Sequence, residues 1–437
     1  MSAEVTIGDA AGSNLEPHCQ RATILGEVHA RPFTAIETPC RVLHFGFDTT
    51  AERADADRAA LTDFCTRRGL LAPEPAARHH RVVFGTTALR WEQHSEFTTY
   101  TWELPAGIAA GAATPFHPPA GPLAAPMGLV PPPGPLLVAI DLHILAAEDV
   151  AFERVFARAS LAAAENSDGK ALYATDFQCD PAGYVRILVL DRGLGAERAG
   201  ALVQRVLELE TYRTLALLGL PEAQRLAPAV TRIERRLAEI ADEMRTVDSF
   251  AANQHLLGEL TALAAEIEAG GAQSLFRFGA SRAYYEIVRL RLETIGERKV
   301  KGLPTWSSFM ARRVAPAMRT CLTTEERQTA LSAKLARAAD LLRTRVDVAL
   351  QQQNQDLLKS MDTRTRLQLR LQQTVEGLSV AAISYYVVGL LGYLAKAAHD
   401  GGLPVEPSLA TAAAVPPVVL GVWFMLRRLR RHIAGTG

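Results

Sequence analysis

Two uncharged apolar runs near the C-terminus constrain this chain more than any other feature. "GLSVAAISYYVVGLLGYLA", between Glu376 and Lys396, and "PSLATAAAVPPVVLGVWFML", between Glu406 and Arg427, each approach the ~20 residues that cross a hydrocarbon core of ~30 Å. Transmembrane helices are expected over 377–396 and 409–426, joined by a short outer loop, 397–408. Pro416 and Pro417 remove backbone donors inside the second run and predict a kink there. Arg364, Arg366 and Arg370 precede the first run, and Arg427, Arg428, Arg430 and Arg431 follow the second. The joining segment carries little positive charge, so the positive-inside rule places both ends and the large N-terminal part in the cytoplasm. Residues 427–437 then form a basic tail against anionic membrane lipids.

The rest of the chain reads as folded and cytosolic. Its apolar share is 48% and its charged share 22%, and Lys plus Arg equals Asp plus Glu at 47 each, a balance that gives no hint of a nucleic-acid partner. Five scattered cysteines without a Cys-x-x-Cys pair argue for reduced thiols rather than a disulfide framework or zinc site. The first residues have no basic start or apolar core and do not read as a signal peptide.

The expected fold is an α+β N-terminal cytoplasmic domain, then a mainly α-helical region with a long stalk helix and a C-terminal two-helix transmembrane hairpin. Residues 1–19 are expected to be disordered and 20–220 to form the α+β domain. Within it, 81–102 reads as two strands in a hairpin, "ALYATDF" and "YVRILVL" as a second hairpin about "DPAG", and 105–135 as a loop holding ten of the 24 prolines. Residues 221–322 form a helical domain in which "EAQRLAPAVTRIERRLAEIADEM", "ANQHLLGELTALAAEIEAG" and "SRAYYEIVRLRLETIGERKV" are three helices. The stalk, 323–376, starts at a Thr323 or Thr324 cap. Its stripe from Leu331 to Leu378 covers 47 residues in 13 steps, nearer a straight helix than a strict coiled coil, with polar interruptions at Gln353, Arg364 and Gln368.

Candidate sites are few. In "ILGEVHARPF", Glu27, His29 and Arg31 alternate with apolar residues and would project from one face of a strand; Glu92, His94 and Glu96 alternate likewise. Together they offer carboxylate and imidazole groups for a metal or a ligand, although their spacing matches no zinc signature, and a hydrogen-bonded polar cluster explains them better. Asp340 and Asp347 on the stalk offer a divalent cation two carboxylates, and "DRGLGAERAG" offers an anion a helix N-terminus, although solvated side chains explain the first and ordinary turn chemistry the second better. Ser384, Tyr385, Gly389, Gly392 and Tyr393 either line a pore or pack helices closely. No phosphate loop, dinucleotide fingerprint or nucleophile elbow is present, so no enzyme is expected, and no cofactor beyond a divalent cation.

"EVHARPF", "RWEQHSEFTTYTW", "LETYRTLALLGLP", "RFGASRAYYEIV" and "LQLRLQQTVEGLSVAAISYYVVGLLGYL" together resemble a bacterial family of membrane-anchored proteins catalogued as domain-of-unknown-function family 3422. The resemblance implies an inner-membrane anchor and no established activity. The order of parts also resembles CorA-type magnesium channels, which implies a homo-oligomer passing divalent cations. Their Gly-Met-Asn signature is missing: the corresponding place reads "GLLGYLAK". The expectation is an oligomeric, CorA-like transporter relative, with a non-transporting scaffold or ligand-binding sensor as the alternative.

Overall fold

The computed structural model describes residues 18–21, 24, 33–105, 115–116, 126–146, 152–404 and 406–433. The chain divides into two compact units. One holds residues up to Ala241 together with Leu260–Arg337, and the other holds Asp242–Glu259 and residues from Ala338 onward.

The first unit is built on a nine-stranded mixed sheet: β1 (Cys40–Asp48), β2 (His79–Phe84), β3 (Thr87–Gln93), β4 (Phe97–Pro105), β5 (Leu136–Ala146), β6 (Ala162–Glu165), β7 (Ala171–Thr175), β8 (Val185–Asp191) and β9 (Arg298–Lys299). Their order is β2-β3-β4-β1-β5-β8-β7-β6-β9, and only β5–β8 is parallel among the pairings. The segment read as a two-stranded hairpin supplies three strands, because the chain reverses at Gly85, whose φ is +58°, and again between His94 and Phe97. The "DPAG" hairpin forms between β7 and β8.

Helices cover both faces of this sheet. On one, α1 (Ala51–Arg67) buries Leu61, Phe64 and Cys65 against Leu43, Phe45, Trp91, Tyr100 and Trp102. Asp57 locks that contact by accepting from Trp91 Nε1 at 2.7 Å and Tyr100 Oη at 2.6 Å. On the other face α2 (Ala196–Leu217) lays Leu202, Val203 and Val206 over Val42, Ile140 and Ile187. Glycine at position 200 permits that approach: a Cβ there would lie 1.8 Å from the Thr34 carbonyl oxygen. Gly200→Ala is therefore expected to destabilise the protein by roughly 1–3 kcal/mol. Gly258, whose Cβ would meet nothing within 4 Å, should gain stability on the same change, and thermal unfolding of the two variants checks the contrast.

The helices downstream are longer than the sequence pattern suggests. After α3 (Gly219–Thr246), Ser249 opens α4 (Phe250–Ile295) by accepting from the Ala252 amide at 3.3 Å. Two of the three expected helices thus fuse through Gly270 and Gly271. That pair is a contact rather than a break: Gln328 Nε2 would lie 3.3 Å from a Cβ at either position and donates to the Ile267 carbonyl. The expected stalk begins earlier than Thr323, in α5 (Trp306–Asp400), a 95-residue helix. Thr305 Oγ1 accepts from the Ser308 amide and Glu297 from the Trp306 and Ser307 amides, which satisfies the first turn. Thr324 instead donates to the Thr320 carbonyl within the helix.

In the second unit, α5 ends in a Schellman motif. Gly402, at φ +91°, lets its own amide and that of Leu403 bond back to His399 and Ala398. Helix α6 (Pro407–Ile433) follows and runs through Pro416 and Pro417. Among the described residues two helices, α5 and α6, are long and apolar enough to cross a membrane.

Candidate ligand-binding cleft

Strands β1, β3 and β4 carry polar side chains on the face that α2 covers. Register puts Arg90, Thr101 and His44 in one cross-strand row and Glu92 beside Thr99 in the next. Helix α2 meets them with Gln204, Glu208 and Thr211, spaced i, i+4, i+7 on one face. Arg291 of α4 joins the rim, and the groups enclose a cleft of about 150 Å³.

His44 is held as a neutral donor and acceptor. Thr211 Oγ1 gives its proton to the Leu207 carbonyl at 2.8 Å, so at 3.1 Å it accepts from His44 Nε2. Thr101 Oγ1, 2.8 Å from Nδ1, then donates to the ring. Burial, helped by the Arg90 charge, pushes the imidazole down to about 3. With both nitrogens occupied, His44 presents no base to the cleft.

A chain of polar groups lines one wall. Arg90 Nη1 donates to Gln204 Oε1 at 3.2 Å, Gln204 Nε2 donates to Glu208 Oε1 at 2.9 Å, and Arg291 Nε donates to the other Glu208 oxygen. Two buried groups among those lining this cleft have no hydrogen-bond partner among the described residues: Arg90 Nε, 3.6 Å from Glu92 Oε2, and Thr99 Oγ1. Leaving such atoms dry costs about 1–3 kcal/mol each, so the cleft is built to be filled by water or a polar molecule. Two arginines face two glutamates, which favours an uncharged or zwitterionic occupant.

The sequence candidates distribute unevenly. Glu92 and His94 line this cleft, but β3 ends at Gln93 and His94 stacks on Phe97 with ring centroids 4.0 Å apart. Glu96 turns to α4, where it accepts from Arg277 Nη2 at 2.7 Å, so the three residues do not share one strand face. Glu96 lines a larger, more open hollow of about 590 Å³, in which Glu96 pairs with Arg277 and Glu222 with Arg225, and which Asp48 also lines. Glu27, His29 and Arg31 lie outside the described residues. No group of three or more His, Cys, Asp and Glu gathers around a metal position among the described residues.

In the second unit, Ser384 is buried and Gly392 packs where a Cβ would lie 3.2 Å from Thr411 Oγ1 of α6, while Tyr385 and Tyr393 are 78% and 77% exposed and Gly389 is open. The helix surface therefore splits into a packed edge and an outward one. Arg427 and Arg428 are exposed, with Arg427 over the Trp423 ring at 4.8 Å, and α6 extends past Arg430 and Arg431.

Sequence reasoning missed His44, Arg90, Gln204 and Glu208. The available signal was the polar stripe Gln204, Glu208, Thr211 inside the apolar "ALVQRVLELETYRTLAL". It also missed the buried set on the opposite sheet face, where Arg41 grips Asp141 through two bonds of 2.9 and 2.7 Å and His143 lies 3.2 Å away.

A family model described as a protein of unknown function, DUF3422, matches residues 16–433. The chain belongs to this family. No curated protein matches this DUF3422 member, and no solved structure matches it.

Proposed function

We propose that this DUF3422 member is a membrane-anchored sensor of the bacterial inner membrane whose cytoplasmic sheet domain binds a small polar molecule. The observation that carries the reading is the cleft beneath α2, with its unpaired Arg90 Nε and Thr99 Oγ1. A cavity of ~150 Å³ accommodates a ligand about the size of a benzene ring, so the ligand class is a short amino acid, polyol or amide. Helices α5 and α6 supply the anchor, and the arginines at 427, 428, 430 and 431 meet anionic headgroups.

The test is thermal unfolding of the full-length protein against amino acids, polyols and small amides. One class should raise the midpoint as its concentration rises. Arg90→Gln should abolish the shift, while Glu96→Gln, in the separate hollow, should keep it. A shift that survives Arg90→Gln would move the ligand out of this cleft.

The transport reading draws on the continuity of α5 into the first apolar run and on the outward Tyr385, Gly389 and Tyr393. Cation flux into liposomes carrying the full-length protein decides it; magnesium entry lost on Gly389→Leu would favour transport over sensing.

A further inference from the structure

Every residue of α5 from Leu350 to Val375 is exposed. No other part of either unit presents so long a helix without cover among the described residues. Leu357 is 60% exposed, Met361 57% and Leu371 68%, values that a lone helix in water does not favour.

The spacing within this stretch differs from that of the buried part. From Leu331 to Gln353 the apolar stripe takes six steps for 22 residues, the period of a straight helix packed on neighbours. From Leu357 to Leu378 the stripe, polar at Arg364 and Gln368, takes six steps for 21 residues, alternating four and three, which is 3.5 per step. A strict 3.5 repeat keeps one seam against a partner helix only if the two supercoil. In that heptad Leu357, Leu371 and Leu378 occupy d, and Met361 and Val375 occupy a. Asn354 and Gln368 fill the remaining a positions and Arg364 the remaining d.

Apart from Arg364, the charges follow the same frame. Asp356, Lys359, Asp362, Arg366, Arg370 and Glu376 all fall at b, c or f, the outer positions of a coiled coil. The e and g positions, Leu358, Ser360, Thr365, Leu367, Gln372 and Thr374, are uncharged, so identical helices meet without repulsion along their flanks.

We infer that residues 354–378 form a parallel, two-stranded coiled coil with the same segment of a second copy of this chain. Parallel pairing rests on the reading that α5 and α6 enter the membrane, because both copies then bring Leu378 to the same surface. A shared membrane also raises the local concentration enough to sustain so short a coil. Asn354 at a matches Asn354 of the other copy and favours two strands. Arg364 at d packs beside Thr365 and Gln368 of the other helix, which offer it a hydroxyl and an amide oxygen.

Copper-catalysed disulfide trapping of the full-length protein in liposomes tests this. Leu357→Cys and Leu371→Cys, at d, should crosslink on the order of tenfold more than Lys359→Cys and Gln373→Cys, at f, after subtraction of the native cysteines' background, because only seam positions bring Cβ atoms within disulfide reach. Equal trapping at all four positions would mean collision alone and overturns the coil. A mixture of Leu357→Cys and Val375→Cys chains that crosslinks better than matched chains would make the pairing antiparallel and overturn it. Particle mass in nanodiscs should correspond to two chains; three or more overturns the two-stranded form. Alkaline carbonate extraction is read separately: release of protein that still traps at the d positions removes the membrane reading and leaves the coil.

Discussion

Arg41→Ala should lower the stability of the sheet domain by about 3–5 kcal/mol, a large part of the margin by which a domain of this kind is folded. Arg41 and Asp141 are 4% exposed each and sit on adjacent central strands. Burial raises the Asp141 carboxyl, but His143 and the two Arg41 bonds outweigh it and hold it below the ordinary carboxylate range. Removing the guanidinium leaves a buried carboxylate whose remaining hydrogen-bond partner is His143. The cost is that of an unpaired buried charge, not the worth of the ion pair. Arg41→Met/Asp141→Leu should therefore recover most of the loss, since both charges go and the space is refilled. Guanidinium unfolding followed by tryptophan emission suits the measurement, because Trp91, Trp102 and Trp306 are all fully buried. A double variant as unstable as the single would show that Arg41 matters for packing or for Arg41 Nη1, which has no partner among the described residues.

The same two strands explain why much of the sheet was illegible in the sequence. Strands β3, β4, β7 and β8 are almost as buried, yet they betray themselves by β-branched and aromatic runs beside Gly or Asp-Pro turns. Strand β1, "CRVLHFGFD", and β5, "LLVAIDLHILA", lie in the middle of the sheet with helices on both faces, so eight of nine β1 positions are buried and no alternation survives. Arg41, His44 and Asp141 then look like surface residues when they are interior ones bonded across strands, and His143 is buried beside Asp141 on the same strand. For the candidate site, Glu92 and His94 were visible as a polar cluster, but their partners on α2 are more than a hundred residues away and only the fold brings them together. The apolar runs at the C-terminus were legible because length and absence of charge need no tertiary partner. In α5 the opposite error arises: one average of 3.6 over 13 steps conceals a buried segment and an exposed one with different periods.

Acidification should separate His44 from every other group in the cleft. The ordinary value of 6.5 applies to the unfolded chain and a value of about 3 to the folded one. Between those limits the unfolded state binds one proton that the folded state refuses, so stability is fully present above pH 6.5 and falls as pH drops. The slope is about 1.4 kcal/mol per pH unit, or roughly 3 kcal/mol by pH 4. Carboxylates add their own losses in the same range, so the decisive quantity is the difference between the wild type and His44→Gln. Glutamine keeps one donor and one acceptor for Thr211 and Thr101 and cannot titrate. Its unfolding free energy, plotted between pH 6.5 and 4, should be flatter than that of the wild type by one proton, with the two curves converging toward low pH even if the variant is less stable at pH 7. Parallel curves would mean that His44 accepts a proton within the folded domain. Solvent or an acidic group would then have to reach the floor of the cleft, and the two threonines would no longer fix the ring as a neutral wall for a neutral ligand.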